Sequence, residues 1–460
     1  MEVSYFMKAI SVLLPFTVFV AFILALFNLP LLAGMSFFML SVLVFMFYFF
    51  TIRSFSITNA SILIFYIFFF LIAPVMQITM RGTDILLSTV PYEDTAIFKG
   101  NMILFLFLLV YMLWRLFLDR GTHFPKYLPK DRVLDALSGQ DPIKLIFISV
   151  LIFIALFSYN LSSVTALLME KLGEESSVSQ MASLVLRKTI MVMPLIFLIF
   201  SFVRKNIPFR YGVIFLACFI VLFFKNPVVE HRNGFGLVYL VAFWAILANI
   251  FWSGERLVGL FSIVFGVAFP LAQAAAPHRF ISEQFNFSDL FLTTYNSVNF
   301  DAWSNVIAGF SYVNDLGYTF GEQLMSSLFF WVPRSIWESK GVATGQMVGE
   351  YLIDHHNHWM TNISWPLMAE GYIDFSFFGV IGYAVALAFL ANRIDRAVVY
   401  AGPSVFFASV YAAFSFIFLL RGPLLSSLAY TIGGIIGIFI MVLLTRNSRS
   451  IRSRYTHNRF

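Results

Sequence analysis

The sequence has one cysteine, Cys218, and only 12% of its residues are charged. A single cysteine forms no intrachain disulfide, so packing and polar contacts must hold the fold together. The glycine-rich patterns that bind nucleotide phosphates are also missing. We therefore expect no nucleotide domain and no cofactor, and any reaction must draw its energy from an activated substrate. A charge content this low also excludes an ordinary soluble enzyme.

Apolar residues are abundant instead. They make up 60% of the chain, and 58 residues are phenylalanine. Continuous apolar runs of about 17 or more residues recur from end to end, and runs of that length predict membrane-spanning helices. The predicted fold class is an all-α polytopic membrane protein with about twelve transmembrane helices and one large extracytoplasmic loop. The predicted spans lie near residues 9–28, 31–50, 60–79, 98–118, 145–168, 186–203, 211–225, 236–253, 257–275, 375–392, 404–420 and 426–445.

The placement of basic residues predicts the orientation. Most of the 30 lysines and arginines fall in alternate loops and in the C-terminal tail, and such segments stay on the cytoplasmic side. Both termini are thus predicted to be cytoplasmic, with the first helix retained rather than cleaved as a signal peptide. The predicted organisation is transmembrane helices over 1–275, an extracytoplasmic loop with interfacial helices over 276–372, further spans over 373–445 and a basic tail over 446–460. The tail suits anionic membrane lipids, and nothing favours nucleic acid.

Arginines on the predicted extracytoplasmic side form the first candidate site. Guanidinium groups bind phosphate bidentately, and several of them around one diphosphate would stabilise a departing diphosphate without a metal. The alternative is that each arginine reaches the membrane interface independently. The candidate residues are Arg187, Arg232, Arg279, Arg334 and Arg421.

A short apolar run precedes Arg334. Leu324 to Val332 covers nine residues, too few to cross a bilayer. We expect this run to dip into the membrane edge and to end at Pro333. Trp331 and Trp337 would then lie at headgroup depth, where tryptophan is enriched.

Histidines and carboxylates follow in EYLIDHHNHWM. A helix over 350–358 would place Glu350, Asp354 and His358 on one face. His358 is the candidate base for a sugar hydroxyl, with Glu370 as an alternative base or as the group that orients it. Packing of His358 against a neighbouring tryptophan is the competing interpretation, and His356 is the substitute if the register differs. The cluster lacks a recognised zinc spacing, so we predict no metal site.

The segment from Phe300 to Gly379 resembles the Wzy-type polymerases of bacterial O-antigen and related surface polysaccharides. The run FFWVPRSIWESKG is similar to that family's Pro-Arg-x-x-Trp-x-x-Lys-Pro pattern, with Gly341 in the place of the final proline. Other matching features are Phe300-Asp301, Asn357-His358, Ile363-Ser364, Glu370-Gly-Tyr, Phe378-Gly379, Arg232 in EHRNGFG and Arg421 in LLRG.

The resemblance implies a GT-C-like glycosyltransferase of the bacterial inner membrane with a periplasmic large loop. Such an enzyme joins undecaprenyl-diphosphate-linked repeat units by inverting glycosyl transfer, and a chain-length regulator and a flippase are implied partners. One alternative is an O-antigen ligase, whose acceptor is the lipid A core. The other is a non-enzymatic flippase or transporter, for which we would expect internal repeats and intramembrane gating charges.

Overall fold

The computed structural model describes residues 29–79, 93–120, 124–170, 189–226, 232–274 and 294–447, together with Ile23. Within these ranges the chain is helical, and its only extended pairings are isolated bridges. The predicted all-α class is confirmed for this part of the chain. The main helices are α1 (Leu31–Ile52), α2 (Ile57–Phe65, Tyr66–Ile72 and Ala73–Thr79), α3 (Asp94–Asp119), α4 (Arg132–Leu137), α5 (Pro142–Glu170), α6 (Pro194–Val203), α7 (Arg210–Phe224), α8 (Arg232–Ile246), α9 (Gly254–Ile263, Val264–Ala268 and Phe269–Ala274), α10 (Ala302–Leu316), α11 (Glu322–Leu328), α12 (Thr344–His356), α13 (Leu367–Tyr400), α14 (Pro403–Phe414 and Phe416–Arg421) and α15 (Leu424–Leu444).

Seven helical segments are long and apolar enough to cross a membrane, which supports the membrane assignment. Each has a mean hydropathy of at least 1.5 over its most apolar stretch. Shorter apolar helices lie inside four further predicted spans, whereas the predicted span 9–28 falls almost wholly outside the described residues. The full count of twelve and the sidedness of the loops stay predictions. The seven segments are Leu31–Ile52, Ile57–Ile78, Asp94–Asp119, Gly254–Leu271, Leu367–Tyr400, Pro403–Arg421 and Leu424–Leu444.

Helix α1 illustrates how these segments pack. Phe37, Leu40 and Phe47 are buried against the rest of the protein, whereas Met35 and Met46 are more than half exposed. A helix that is apolar on both its inner and outer faces suits a surrounding of lipid rather than water. The most extensive helix–helix packing in the bundle joins α3 to α13, α3 to α1, and α14 to α15.

A charged network lies inside this apolar bundle, between α3 and α13. The guanidinium of Arg115 places Nη1 and Nη2 each 3.1 Å from Oδ2 of Asp395, and its Nε lies 3.6 Å from Asp119. The same oxygen of Asp395 accepts hydrogen bonds from the hydroxyls of Ser56 and Thr58, both at 2.6 Å. Each buried charge therefore has an opposite charge beside it.

The described part of the predicted large loop, residues 294–372, includes the α-helices α10 to α12. Residues 301–310 are buried throughout, so the first part of α10 packs in the protein interior and exposes no face. The long helix α13 is broken at Phe375 and Ser376, which have non-helical backbone angles. The two parts approach closely at Gly371, where a Cβ atom would lie 2.8 Å from the carbonyl carbon of Gly379. The break falls at the predicted boundary between loop and membrane.

Candidate functional site

His358 lies just beyond the end of α12. Asn357 adopts the left-handed conformation, with φ of 51°, and terminates the helix. The backbone N–H of His358 then donates to the carbonyl of Leu352 at 3.1 Å. The prediction that His358 shares a helical face with Glu350 and Asp354 is therefore wrong, because the chain turns at Asn357. Those two carboxylates are exposed on the helix, whereas His358 is buried.

The imidazole of His358 has no hydrogen-bond partner on either ring nitrogen, although its side chain is only 5% exposed. Its ring centroid lies 6.1 Å from that of Trp359. Burial lowers the pKa of His358 below its usual 6.5, and the negative charge of Asp301 opposes this shift. The ring is therefore neutral near pH 7 and able to accept a proton. Buried polar atoms normally have partners, and in His358 both ring nitrogens lack one, so the ring is a candidate for contact with a ligand.

Asp301 is the carboxylate of the site, and it lies directly before α10. It is 3% exposed. Its Oδ2 accepts from the side-chain amide of Asn305 at 3.0 Å and from the backbone N–H of Ser364 at 3.2 Å. The hydroxyl of Ser364 donates to the other oxygen, Oδ1. Asp301 thus fixes the extended segment that contains Ser364 against the start of α10.

Arg421 reaches the same carboxylate from the end of α14. Its Nη2 lies 3.6 Å from Oδ1 of Asp301. The guanidinium also donates to the carbonyls of Asn299, at 3.0 Å, and Val298, at 3.1 Å. Asp301 therefore links Arg421 to the segment that contains His358 and Ser364, although Arg421 lies far from that segment in sequence.

Two glycines let the segment 361–364 lie on α12. A Cβ atom at Gly349 would collide with the carbonyl oxygen of Thr361, and one at Gly345 with the carbonyl oxygen of Ile363. A Cβ atom at Gly345 would also lie 2.9 Å from Cγ of Pro423, in the turn that follows Arg421. The start of α12, the Ser364 segment and the Arg421 turn consequently form one neighbourhood.

Arg334 occupies a separate turn and is exposed. Its Nη1 donates to the carbonyl of Lys340 at 2.7 Å, and its Nη2 donates to that of Gly341 at 3.1 Å. The backbone N–H of Gly341 donates to the hydroxyl of Ser326 at 3.0 Å. A proline at 341 would have no N–H to donate to Ser326.

Glu370 does not orient His358 through a hydrogen bond. Its Oε1 accepts from the hydroxyl of Thr344 at 2.8 Å, and its fully buried Oε2 has no partner. Asp374, one turn later, accepts from the hydroxyls of Thr319 and Tyr383 at 2.6 and 2.7 Å. The charge that acts on His358 is that of Asp301 instead.

The remaining predicted residues have different outcomes. Arg187 and Arg279 lie outside the described residues, and Arg232 begins α8 with a side chain that is also outside them. Arg334 and Arg421 are bonded to different pairs of carbonyls, so the convergence of the arginines stays a prediction. His356, the substitute base, is already bonded to the hydroxyl of Tyr351 at 3.2 Å.

Among the described residues, no three side chains of His, Cys, Asp or Glu are grouped so that they could hold a metal ion. The site instead offers a neutral buried imidazole, a cationic guanidinium and the carboxylate that links them. Sequence reasoning gave no role to Asp301, because its partners Ser364 and Arg421 lie 63 and about 120 residues further along the chain. The signal available was its place in the Phe300-Asp301 pair of the resemblance.

Comparisons with known proteins find no family model, no curated protein and no solved structure that matches this chain.

Proposed function

We propose that this protein is a membrane glycosyltransferase that polymerises oligosaccharide repeat units linked to undecaprenyl diphosphate. The proposed location is the periplasmic face of a bacterial inner membrane, where the product would be O-antigen or a related surface polysaccharide. The apolar helices support an enzyme that meets its lipid-linked substrates within the membrane.

One observation carries the proposal. The fold brings three residues quoted for the family resemblance, Asp301, Ser364 and Arg421, into contact, and it places a fourth, His358, within the influence of the same carboxylate. Asp301 contacts Ser364 and Arg421 directly, and its charge acts on His358. A resemblance due to composition alone would give no reason for residues so far apart in sequence to share a carboxylate.

The residues fit an inverting transfer. The hydroxyl of the acceptor repeat would attack the anomeric carbon of the growing glycan on the face opposite to the lipid diphosphate. A new C–O bond forms as the bond to the diphosphate oxygen breaks, and the electron pair leaves with the diphosphate. The neutral His358 would take the proton of the hydroxyl. Arg421, with Arg334 and Arg232, would stabilise the negative charge of the departing diphosphate.

The acceptor separates this proposal from its alternatives. A polymerase passes the glycan to another lipid-linked repeat, whereas a ligase passes it to the lipid A core and a flippase forms no bond. The Pro-Arg-x-x-Trp pattern in FFWVPRSIW favours the polymerase.

The test is the banding pattern of surface polysaccharide in a strain that lacks this protein. We expect core carrying a single repeat, and the full ladder restored by the wild-type chain. Core without any repeat would identify a ligase, and accumulation of repeats on the cytoplasmic side would identify a flippase. Either result would overturn the proposal.

A further inference from the structure

Helix α11 has its polarity reversed relative to a helix on a water-exposed surface. Its buried positions are the polar residues Gln323, Ser326 and Ser327, which are at most 2% exposed. Its outward positions are Met325 and Leu328, each 46% exposed, and the charged Glu322 at its first position. An amphipathic helix in water places its apolar stripe against the protein and its polar face outside. Beyond its first position, the outward face of α11 is therefore apolar.

The polar side of α11 is engaged inside the protein. The side-chain oxygen of Gln323 accepts from the hydroxyl of Thr344 at 3.2 Å. The hydroxyl of Ser326 accepts from the backbone N–H of Gly341 at 3.0 Å. These bonds fix the rotation of the helix about its own axis, so the apolar face points outward as a consequence of specific contacts.

The outward face continues into the turn that follows the helix. Phe329, Trp331 and Ile336 are 39%, 62% and 78% exposed. Together with Met325 and Leu328, they form a run of exposed apolar side chains, and contiguous exposed apolar patches mark contact with a membrane or a partner. Arg334, on the same turn, supplies a cation at the edge of this apolar surface.

Helix α11 packs alongside α15 and α13, two of the segments long enough to cross a membrane. The apolar residues of α11 therefore lie beside two candidate membrane spans, and a seven-residue helix cannot itself cross a bilayer. Tryptophan is also enriched where a chain passes from hydrocarbon to headgroups. This placement favours lipid over a protein partner as the covering layer.

We propose that the outward face of α11 and the turn to Ile336 form a lipid-contact surface, buried in the acyl-chain region of the bilayer outside the seven candidate spans. Arg334 then lies at the level of the lipid phosphates. The inference does not depend on the proposed glycosyl transfer.

Site-directed spin labelling tests this surface. Because the chain has one cysteine, the substitution Cys218→Ser gives a cysteine-free protein into which single labelled cysteines can be introduced. Single labels at Met325→Cys, Leu328→Cys and Phe329→Cys would be compared with a control label at Glu338→Cys, which is exposed and polar. The full chain is placed in phospholipid nanodiscs with one copy per disc. Collision with oxygen, which enters lipid, is measured against collision with a water-soluble nickel chelate.

We expect oxygen collisions to exceed nickel collisions at the three α11 labels, and the reverse at position 338. Nickel collisions that dominate at the α11 labels would show a surface in water and would overturn the proposal. Labels shielded from both reagents would also overturn it, because another part of this chain would then cover the face. Three labels on one face keep the test decisive if one variant fails to fold.

Discussion

Two of the regions in which the molecule buries charged side chains differ in the partners of those side chains. Between α3 and α13, Arg115 is paired with Asp395 and Asp119. At the candidate site, Asp301 is paired with Arg421, but the histidine beside it has two ring nitrogens without a partner. A network in which every charge is paired serves the fold. An unpaired buried imidazole in the same protein is better explained as a group that contacts a bound ligand than as part of the packing.

The largest effect on stability is expected in the first network. Arg115→Met would leave the buried Asp395 and the partly exposed Asp119 without their cation, which costs about 3–5 kcal/mol of unfolding free energy. Thermal unfolding of the purified protein in detergent measures this loss. Arg53→Met, at an exposed arginine, is the control and should change stability by less than about 0.5 kcal/mol. Equal behaviour of the two variants would show that the network is not structural.

The arginine of the second region should matter mainly for turnover. Arg421→Ala removes a guanidinium from the departing diphosphate and is expected to lower the transfer rate about 30- to 1000-fold, or about 2–4 kcal/mol. Arg334→Ala should lower it as well. Rates of chain elongation in proteoliposomes, at matched protein content and with Arg53→Ala as the control, measure both. An unchanged rate in Arg421→Ala would remove that residue from the mechanism.

Asp301→Asn sharpens the contrast between charge and hydrogen bonding. The amide keeps the size of the carboxylate but loses the attraction to Arg421, and hydrogen bonds to charged groups contribute about 1.5–3 kcal/mol. We expect a stability loss in that range from thermal unfolding. Asp354→Asn changes an exposed carboxylate of α12 and should be neutral. If Asp301→Asn also left the unfolding temperature unchanged, Asp301 would not be the residue that links Arg421 to the segment with Ser364.

The smallest expected effect is a shift in the pH dependence of the transfer rate. Burial lowers the pKa of His358 below 6.5, so the neutral ring is present above that pH and is lost as pH falls through the lowered pKa. The transfer rate and this residue's contribution to stability should both fall on that acid side. In Asp301→Asn the opposing negative charge is gone, so the acid limb should move to lower pH. An acid limb of the pH–rate profile that lies above pH 6.5, or that moves to higher pH in Asp301→Asn, would contradict this account.

Much of the helical frame is predictable because hydropathy is a local property of the chain. Helices α14 and α15 begin at Pro403 and Leu424, close to the predicted starts at 404 and 426. Helix α13 starts at Leu367, before the predicted span start at 375. The prediction is late because Glu370 and Asp374 interrupt the apolar run. Their partners Thr344, Thr319 and Tyr383 make burial possible, and no local pattern predicts those pairings.

The candidate site is harder to predict because its contacts are not local. Its chemistry makes His358 a candidate from the sequence alone. The sequence analysis does not predict the helix end at Asn357, although asparagine readily adopts the left-handed conformation. Asp301 was missed as a site residue because its role depends on Ser364 and Arg421, which only the fold brings to it.

The central claim is that the unpartnered His358 is the base of a glycosyl transfer. The most direct measurement compares His358→Gln with His355→Gln, an exposed histidine three residues earlier on α12, in proteoliposomes supplied with the purified lipid-linked repeat. The account predicts that His358→Gln lowers elongation by about 100-fold or more without lowering the unfolding temperature, while His355→Gln elongates normally. Full elongation by His358→Gln at matched protein level would contradict it and would leave this ring as part of the packing against Trp359.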